Sequence, residues 1–422
     1  YILIVMYLLK RRIQRERRYI IFIFLDNSFI MKVVYFAPTS TLYGDNIALL
    51  NILQVLALKN VCFLIITSRE GEFTLKLREL GYEYALCNFN PVWWPTISSF
   101  RDIVLFLPRL VYYKLFGYLL VDRRRIRKIV SEFNPDIIHS NNSCFKLGLE
   151  IANDLNIPHV QHIREYGKLD IGKSYFPTKN NYVQSISKKN DLVLCITNDI
   201  KRYFLSDKKY RNWHVVYDGV INGKNIFIPI KEPYFLYVGR LFPGKCVFEL
   251  INQFAVFVQN TSSNIRLKIV GDGTNEYKEK LVKCVLENKI VDKVDFLGYS
   301  SDVYSIMSKA LALFVPSSFE GFGFITVEAM FCGCLVIGRN TGGTKEQFDN
   351  GLTLEGDEIA IRFDNDEDLA SIMENISMNG VESYYSMIKR SQKVVMQCYT
   401  IDISADVVYG LYENMLKNKS EK

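Results

Sequence analysis

What this chain lacks narrows its chemistry before any motif is read. Its four histidines are too few and too dispersed for a clear metal site. Nine cysteines are scattered without the paired Cys-x2-Cys knuckles of structural zinc. Only Cys332 and Cys334 are close, and neighbours at that spacing seldom bridge, so the thiols read as reduced core residues of a cytoplasmic protein. The two N-terminal apolar runs, Tyr1 to Leu9 and Tyr19 to Leu25, fall far short of the ~20 residues needed to span a bilayer. No low-complexity tract or short repeat is present. The stretch from Lys32 to Gly44 has no Gly-x-Gly-x-x-Gly turn, which argues against a dehydrogenase.

The excess of positive charge is also smaller than it looks. Residues 1–30 carry six basic and two acidic groups, so the formal net charge of +7 falls to +3 without them, and no nucleic-acid partner is implied. The basic block Lys10 to Arg18 follows an apolar run, the reverse of a signal peptide, and no cleavage site is evident. Two readings stand for this segment: an upstream extension before a natural start at Met31, or a basic peripheral anchor.

What remains is ordinary globular material, 49% hydrophobic and 23% charged over 422 residues, enough for two domains with full cores. From Met31 strand and helix patterns alternate, which predicts parallel α/β sheets. Lys32 to Ala37 reads as the first strand, followed by a loop containing Gly44 and a helix over Asn46 to Leu58. Pro158 to Glu165 reads as a later strand and its exit, carrying His162. Asp218 to Glu232, with two glycines and a proline, reads as a linker. Beyond it the alternation resumes with strand Tyr234 to Val238. Phe100 to Lys128 is different: bulky apolar and aromatic residues interleave with arginine and lysine, broken by Pro108. It reads either as a core helix with a solvated basic face or as an amphipathic segment lying in the headgroup plane of an anionic membrane.

Two stretches carry chemistry. Phe319 to Gly333 follows the apolar strand Ala310 to Val315 and passes Gly321 and Gly323 before a helical pattern begins near Ile325. A helix N-terminus offers unpaired N–H groups and a partial positive charge, and glycines allow an anion close to the backbone. Glu320 and Glu328 frame this loop and can accept from ligand hydroxyls. Upstream, Tyr237 to Lys245 ends a strand at Gly239 and delivers Arg240 and Lys245, a planar fork and a point charge suited to a diphosphate. Taken singly, these residues are also what caps, core aromatics and solvated surface charge would supply.

Together, Gly-Arg-Leu-x3-Lys at 239–245, Val-Gly-Asp-Gly at 270–273, Phe-Leu-Gly at 296–298 and the Glu-x7-Glu of 320 and 328 resemble the retaining family 4 glycosyltransferases of bacterial surface-polysaccharide type. The resemblance covers most of the chain from Met31 onward. It implies a GT-B fold: two Rossmann-like domains whose parallel sheets face a central cleft, with a C-terminal helix crossing back to the first. The domains would be 31–217 on the acceptor side, a linker at 218–232, a nucleotide-sugar domain at 233–395 and the bracing helix within 396–422. It implies a metal-independent transfer of a sugar from a UDP- or GDP-sugar, with no other cofactor, to a glycan or lipid-linked acceptor, and a location in the cytoplasm, at the inner face of the membrane where residues 100–128 make contact.

By the same resemblance Arg240, Lys245, Glu320 and His162 are the catalytic set, His162 standing at the mouth of the cleft. The donor would be held by Gly44, Gly239, Gly271, Asp272, Gly273, Gly298, Gly321, Phe322, Gly323, Phe324, Ile325 and Glu328. Tyr43 departs from the paired glycines that the family often has before the first helix. Nothing reads as the Asp-x-Asp of a metal-dependent transferase, and the run Asp364 to Asp368 reads as a helix start. Two rivals stay open: a nucleotide-sugar-binding protein without turnover, and a GT-B epimerase or hydrolase of nucleotide sugars.

Overall fold

The computed structural model describes residues 30–88, 93–95, 101, 104–108, 111, 121–175, 178–188, 191–206, 208–227 and 230–420. The expected N-terminal extension lies, but for Ile30, outside the described residues, as does most of the stretch 100–120. Among the described residues no helix is long and apolar enough to cross a membrane.

Two parallel sheets organise the chain. The first contains β1 (Met31–Ala37), β2 (Val61–Thr67), β3 (Tyr84–Leu86), β5 (Ile137–Ser140), β6 (His159–Ile163), β8 (Leu192–Cys195) and β9 (Trp213–Val215), in the order β3-β2-β1-β5-β6-β8-β9. A small antiparallel pair, β4 (Trp93–Pro95) with β7 (Lys173–Tyr175), stands apart from it. The second sheet contains β10 (Tyr234–Val238), β11 (Arg266–Val270), β12 (Val294–Gly298), β13 (Ala312–Val315), β14 (Leu335–Arg339) and β15 (Ile361–Phe363), in the order β12-β11-β10-β13-β14-β15. Central strands such as β1 and β13 are apolar on both faces because helices cover both, as all-parallel sheets require.

In each sheet the strand order reverses once, between β1 and β5 in the first and between β10 and β13 in the second. At such switch points the loops leaving the carboxyl ends of neighbouring strands diverge and leave a crevice. The two crevices face one another. Gly44, at the start of α1 (Gly44–Leu58), lies against Phe324, and the Tyr43 ring lies 5.3 Å from the Arg240 guanidinium. Below them an apolar cluster runs from Ile163 and Ile196 of the first lobe to Val315, Phe322 and Tyr399 of the second.

The last helix, α6 (Ile401–Ser420), returns to the first lobe and packs on α1. Ala405, Val408, Tyr412 and Met415 enter the core beneath β1, and the Tyr412 hydroxyl bonds the Tyr35 hydroxyl at 2.9 Å. This is the crossing helix that the resemblance implied. The intervening helices used below are α2 (Arg123–Phe133), α3 (Asn198–Leu205), α4 (Phe324–Phe331) and α5 (Gly342–Glu355). α5 starts at a pair of glycines, Gly342 and Gly343. Its two glycines do not break the helix. They let it press on the neighbouring loop, since a Cβ at Gly343 would come 2.3 Å from the Phe322 carbonyl oxygen.

Candidate active site

The loop leaving β10 turns at Gly239 and sends Arg240 and Lys245 toward β13. It is anchored to its neighbour by backbone bonds: Gly239 N–H to the Val270 carbonyl at 3.0 Å and Leu241 N–H to the Asp272 carbonyl at 2.8 Å. Gly271 has φ +137°, and a Cβ there would come 1.9 Å from the Gly239 carbonyl oxygen, so only glycine fits. Gly271 N–H in turn bonds the Gly298 carbonyl at 2.8 Å. Gly239, Gly271, Gly273 and Gly298 thus form one continuous backbone wall at the exits of β10, β11 and β12. The Asp272 side chain leaves that wall for solvent, where Lys278, 2.9 Å away, holds its carboxyl below the usual range.

The loop leaving β13 closes on the first. Ser318 N–H bonds the Gly244 carbonyl at 3.2 Å, and the Lys245 ammonium is paired with the Glu320 carboxylate, both side chains about one-fifth exposed. Arg240 is exposed, its guanidinium between the rings of Tyr43 and Phe242 at 5.3 and 4.7 Å. Aromatic faces hold the plane of the guanidinium while its edge N–H groups stay free for an anion.

After Glu320 the chain passes Gly321, packed under the Arg164 carbonyl, and reaches Gly323, the N-cap of α4, with φ +93°. The first amides of α4 are unpaired within the helix and carry its positive end. Phe324 and Ile325 are half-buried at this end. Glu328, one turn further on, bonds the Tyr304 hydroxyl, and burial pushes its carboxyl up to about 7. Phe322 turns its ring away from the loop into the interlobe core, against Tyr217 and Tyr399. Any contact it makes with a ligand would be through the backbone.

His162 requires a correction of place. It is fully buried, because in β6 its side chain falls on the face that α6 covers, beside His139 with ring centres 5.4 Å apart. Arg164 donates to its Nδ1 at 3.2 Å, which leaves the proton on Nε2. Burial first, and then Arg164, hold its pKa well below the ordinary value, so the ring is neutral at neutral pH. Arg164 itself forms a buried ion pair with Asp218, a residue that the sequence reading assigned to a linker. Glu165, next in line, accepts from Ser143 and is pushed up to about 8 by burial.

Two features escaped the sequence reading. Glu346 on α5 reaches across to the first lobe, where it accepts Asn198 N–H at 2.7 Å and Asp199 N–H at 2.8 Å at the start of α3. Gln347, beside it, donates to the backbone of the glycine loop. Among the described residues no three His, Cys, Asp or Glu side chains gather as metal ligands would. The run at 364–368 does contain aspartates two apart, but Asp366 pairs with Arg339 and Asp364 accepts from Asn340.

Comparison with known proteins agrees with this geometry. Residues 72–221 match the family described as Glycosyltransferase Family 4, and residues 222–394 match Glycosyl transferases group 1. An uncharacterized glycosyltransferase of Methanocaldococcus jannaschii is 28% identical over 59% of this chain and 69% of its own length. A Campylobacter jejuni N-acetylgalactosamine-N,N'-diacetylbacillosaminyl-diphospho-undecaprenol 4-alpha-N-acetylgalactosaminyltransferase is 31% identical, but the match spans only 31% of this chain and 35% of the relative. Among solved structures, Anabaena HepE in complex with UDP superposes with a TM-score of 0.71 at 16% identity, over 93% of this chain and all of the other. A Rickettsia africae glycosyltransferase gives 0.72 at the same identity and coverage. At that identity the structures speak for the fold alone, which is GT-B. With both halves matched by the corresponding families, the chain belongs to the group 1, family 4 glycosyltransferases.

Proposed function

We propose that this protein transfers a sugar from a nucleoside diphosphate sugar to a glycan or lipid-linked acceptor in polysaccharide biosynthesis, with retention of configuration and without a metal at the diphosphate. The observation that carries the reading is the meeting of Arg240, Lys245, Glu320 and the start of α4 at one switch point. As the sugar departs, negative charge accumulates on the diphosphate. Arg240, Lys245 and the amides of Gly323 and Phe324 offset it, a kind of stabilisation worth roughly 3–4 kcal/mol for a single oxyanion donor. Glu320, released from Lys245 as the diphosphate takes its place, accepts from sugar hydroxyls. Glu328 accepts from the ribose.

The donor is a UDP- or GDP-sugar. Complexes of Anabaena HepE with UDP and with UDP-glucose favour uridine. The diphospho-undecaprenol in the name of the Campylobacter relative favours a lipid-linked acceptor. A surface suited to it lies on the first lobe, where α2 exposes Arg124, Arg125, Arg127 and Lys128 and the stretch before it exposes Val104, Leu105, Leu107 and Val111. Basic and apolar residues together fit peripheral contact with an anionic membrane at its cytoplasmic face.

A thermal-shift screen against UDP-, GDP- and ADP-sugars tests the donor, and stabilisation by none of them contradicts the reading. Product analysis separates the rivals: a transferase releases little free sugar when acceptor is present, whereas a hydrolase releases it regardless.

A further inference from the structure

Gln347 is enclosed within α5, 1% exposed, and its side-chain amide faces the glycine loop. Nε2 donates to the Phe322 carbonyl at 2.8 Å and to the Gly323 carbonyl at 3.3 Å. With two carbonyl oxygens in front of it, that end of the side chain must be the NH2 group, since an amide oxygen there would meet two acceptors. Around the same glycine lie the Oε1 of Gln347 and the hydroxyls of Thr326 and Thr344, none with a hydrogen-bond partner among the described residues. The donor half of the Gln347 amide is therefore the half that is engaged.

Those two bonds fix more than two carbonyls. A trans peptide holds its C=O and N–H antiparallel. Fixing the Phe322 carbonyl toward Gln347 therefore aims the Gly323 N–H the opposite way, and fixing the Gly323 carbonyl does the same for Phe324. Glycine at φ +93° has little intrinsic restraint against rotation of these planes; Thr326 N–H, 3.1 Å from the Gly323 carbonyl, shares the second plane with Gln347, while the first is held through the Phe322 carbonyl by Gln347. A rotated plane would turn a carbonyl oxygen toward a bound diphosphate in place of an N–H. Gly343 N–H, bonded to the Glu320 carbonyl at 2.8 Å, and the Thr341 hydroxyl, bonded to the Ser318 carbonyl at 2.9 Å, hold the preceding residues but reach neither of these planes.

We propose that Gln347 is a positioning residue that aims the Gly323 and Phe324 amides at the diphosphate of the donor without touching it. The inference rests on the proposed donor site at the start of α4. The test uses the full-length chain and calorimetric titration with UDP and with uridine, or with GDP and guanosine if the wild type prefers guanine. Gln347→Met keeps the approximate volume and removes both donors. It weakens the diphosphate by about tenfold or more, the equivalent of one hydrogen-bonding interaction of about 1.4 kcal/mol, and changes nucleoside affinity by less than about twofold.

Gln347→Glu supplies a second readout. Its ionised carboxylate repels both carbonyls, whereas its protonated form donates to one of them, so its diphosphate affinity relative to the wild type at the same pH recovers as pH falls. If Gln347→Met does not fold, this pH dependence decides alone. Equal losses for diphosphate and nucleoside, no loss for either, or a Gln347→Glu deficit relative to the wild type that does not change with pH overturn the proposal. A wild type that binds neither UDP nor GDP overturns the donor-site reading itself, and the inference with it. A wild type that binds while Gln347→Met binds equally well overturns only the inference.

Discussion

Lys245 and Glu320 are ion-paired across the gap between the loops that leave β10 and β13. Residues 75 positions apart in sequence meet because their strands are neighbours in the sheet, and the pairing holds each loop in register with the other. The two charges neutralise one another, and on the proposed function the donor separates them, its phosphate taking the ammonium and its sugar hydroxyls the carboxylate.

Arg240→Ala and Glu320→Ala should each lower turnover by at least about a hundredfold while the fold survives, the usual effect of removing one charge-stabilising group. Initial rates with a nucleotide sugar, alongside circular dichroism, check this. Near-normal rates in both variants would remove these residues from the site.

Glu328 gives donor binding a pH dependence. Burial pushes its carboxyl up to about 7, and in the proposed role ribose hydroxyls donate to the ionised form, so binding would favour loss of the proton. Affinity for the nucleoside diphosphate should rise between pH 6 and pH 8 and then level off. Calorimetry across that range measures the slope, and Glu328→Gln should flatten it.

The same raised groups act on stability with the opposite sign. Glu165 and Glu328 titrate at about 8 and about 7 in the folded chain, above the unfolded value near 4.5. Their contribution is fully present below pH 4.5 and is lost as pH rises through 7 to 8. Glu165→Gln should therefore melt higher than the wild type at pH 9 relative to its position at pH 6. Calorimetric melting at the two pH values is the check.

Gly271→Ala should cost several kcal/mol of stability, because the new methyl meets the Gly239 carbonyl and the backbone sits at φ +137°, a strain of about 1–3 kcal/mol by itself. Chemical denaturation measures it. A variant as stable as the wild type would show that the β10 and β11 exits are not locked together.

Much of this was legible in the chain itself. Strands such as Tyr234–Val238 and the glycine turn before α4 announce themselves, since buried parallel strands are short apolar runs and sharp exits need glycine. The crossing helix, at Ile401–Ser420, lies where the resemblance put it, within 396–422. What was hidden depends on partners distant in sequence. Whether His162 opens on the cleft or into the core is decided by which face α6 covers, and nothing near position 162 encodes that. Gly342 and Gly343 would weaken an isolated helix, yet contact with Glu320 and Phe322 demands them inside one. Gln347 and Glu346 look like ordinary helix residues until the loop and the first lobe are set against them.

The most direct measurement is calorimetric titration of the wild type and Lys245→Ala, full length, with UDP, GDP and ADP and with the corresponding nucleosides. One diphosphate should bind the wild type clearly more tightly than its nucleoside, and Lys245→Ala should erase most of that difference. Diphosphate and nucleoside binding alike, or a difference that survives the loss of Lys245, would contradict the account.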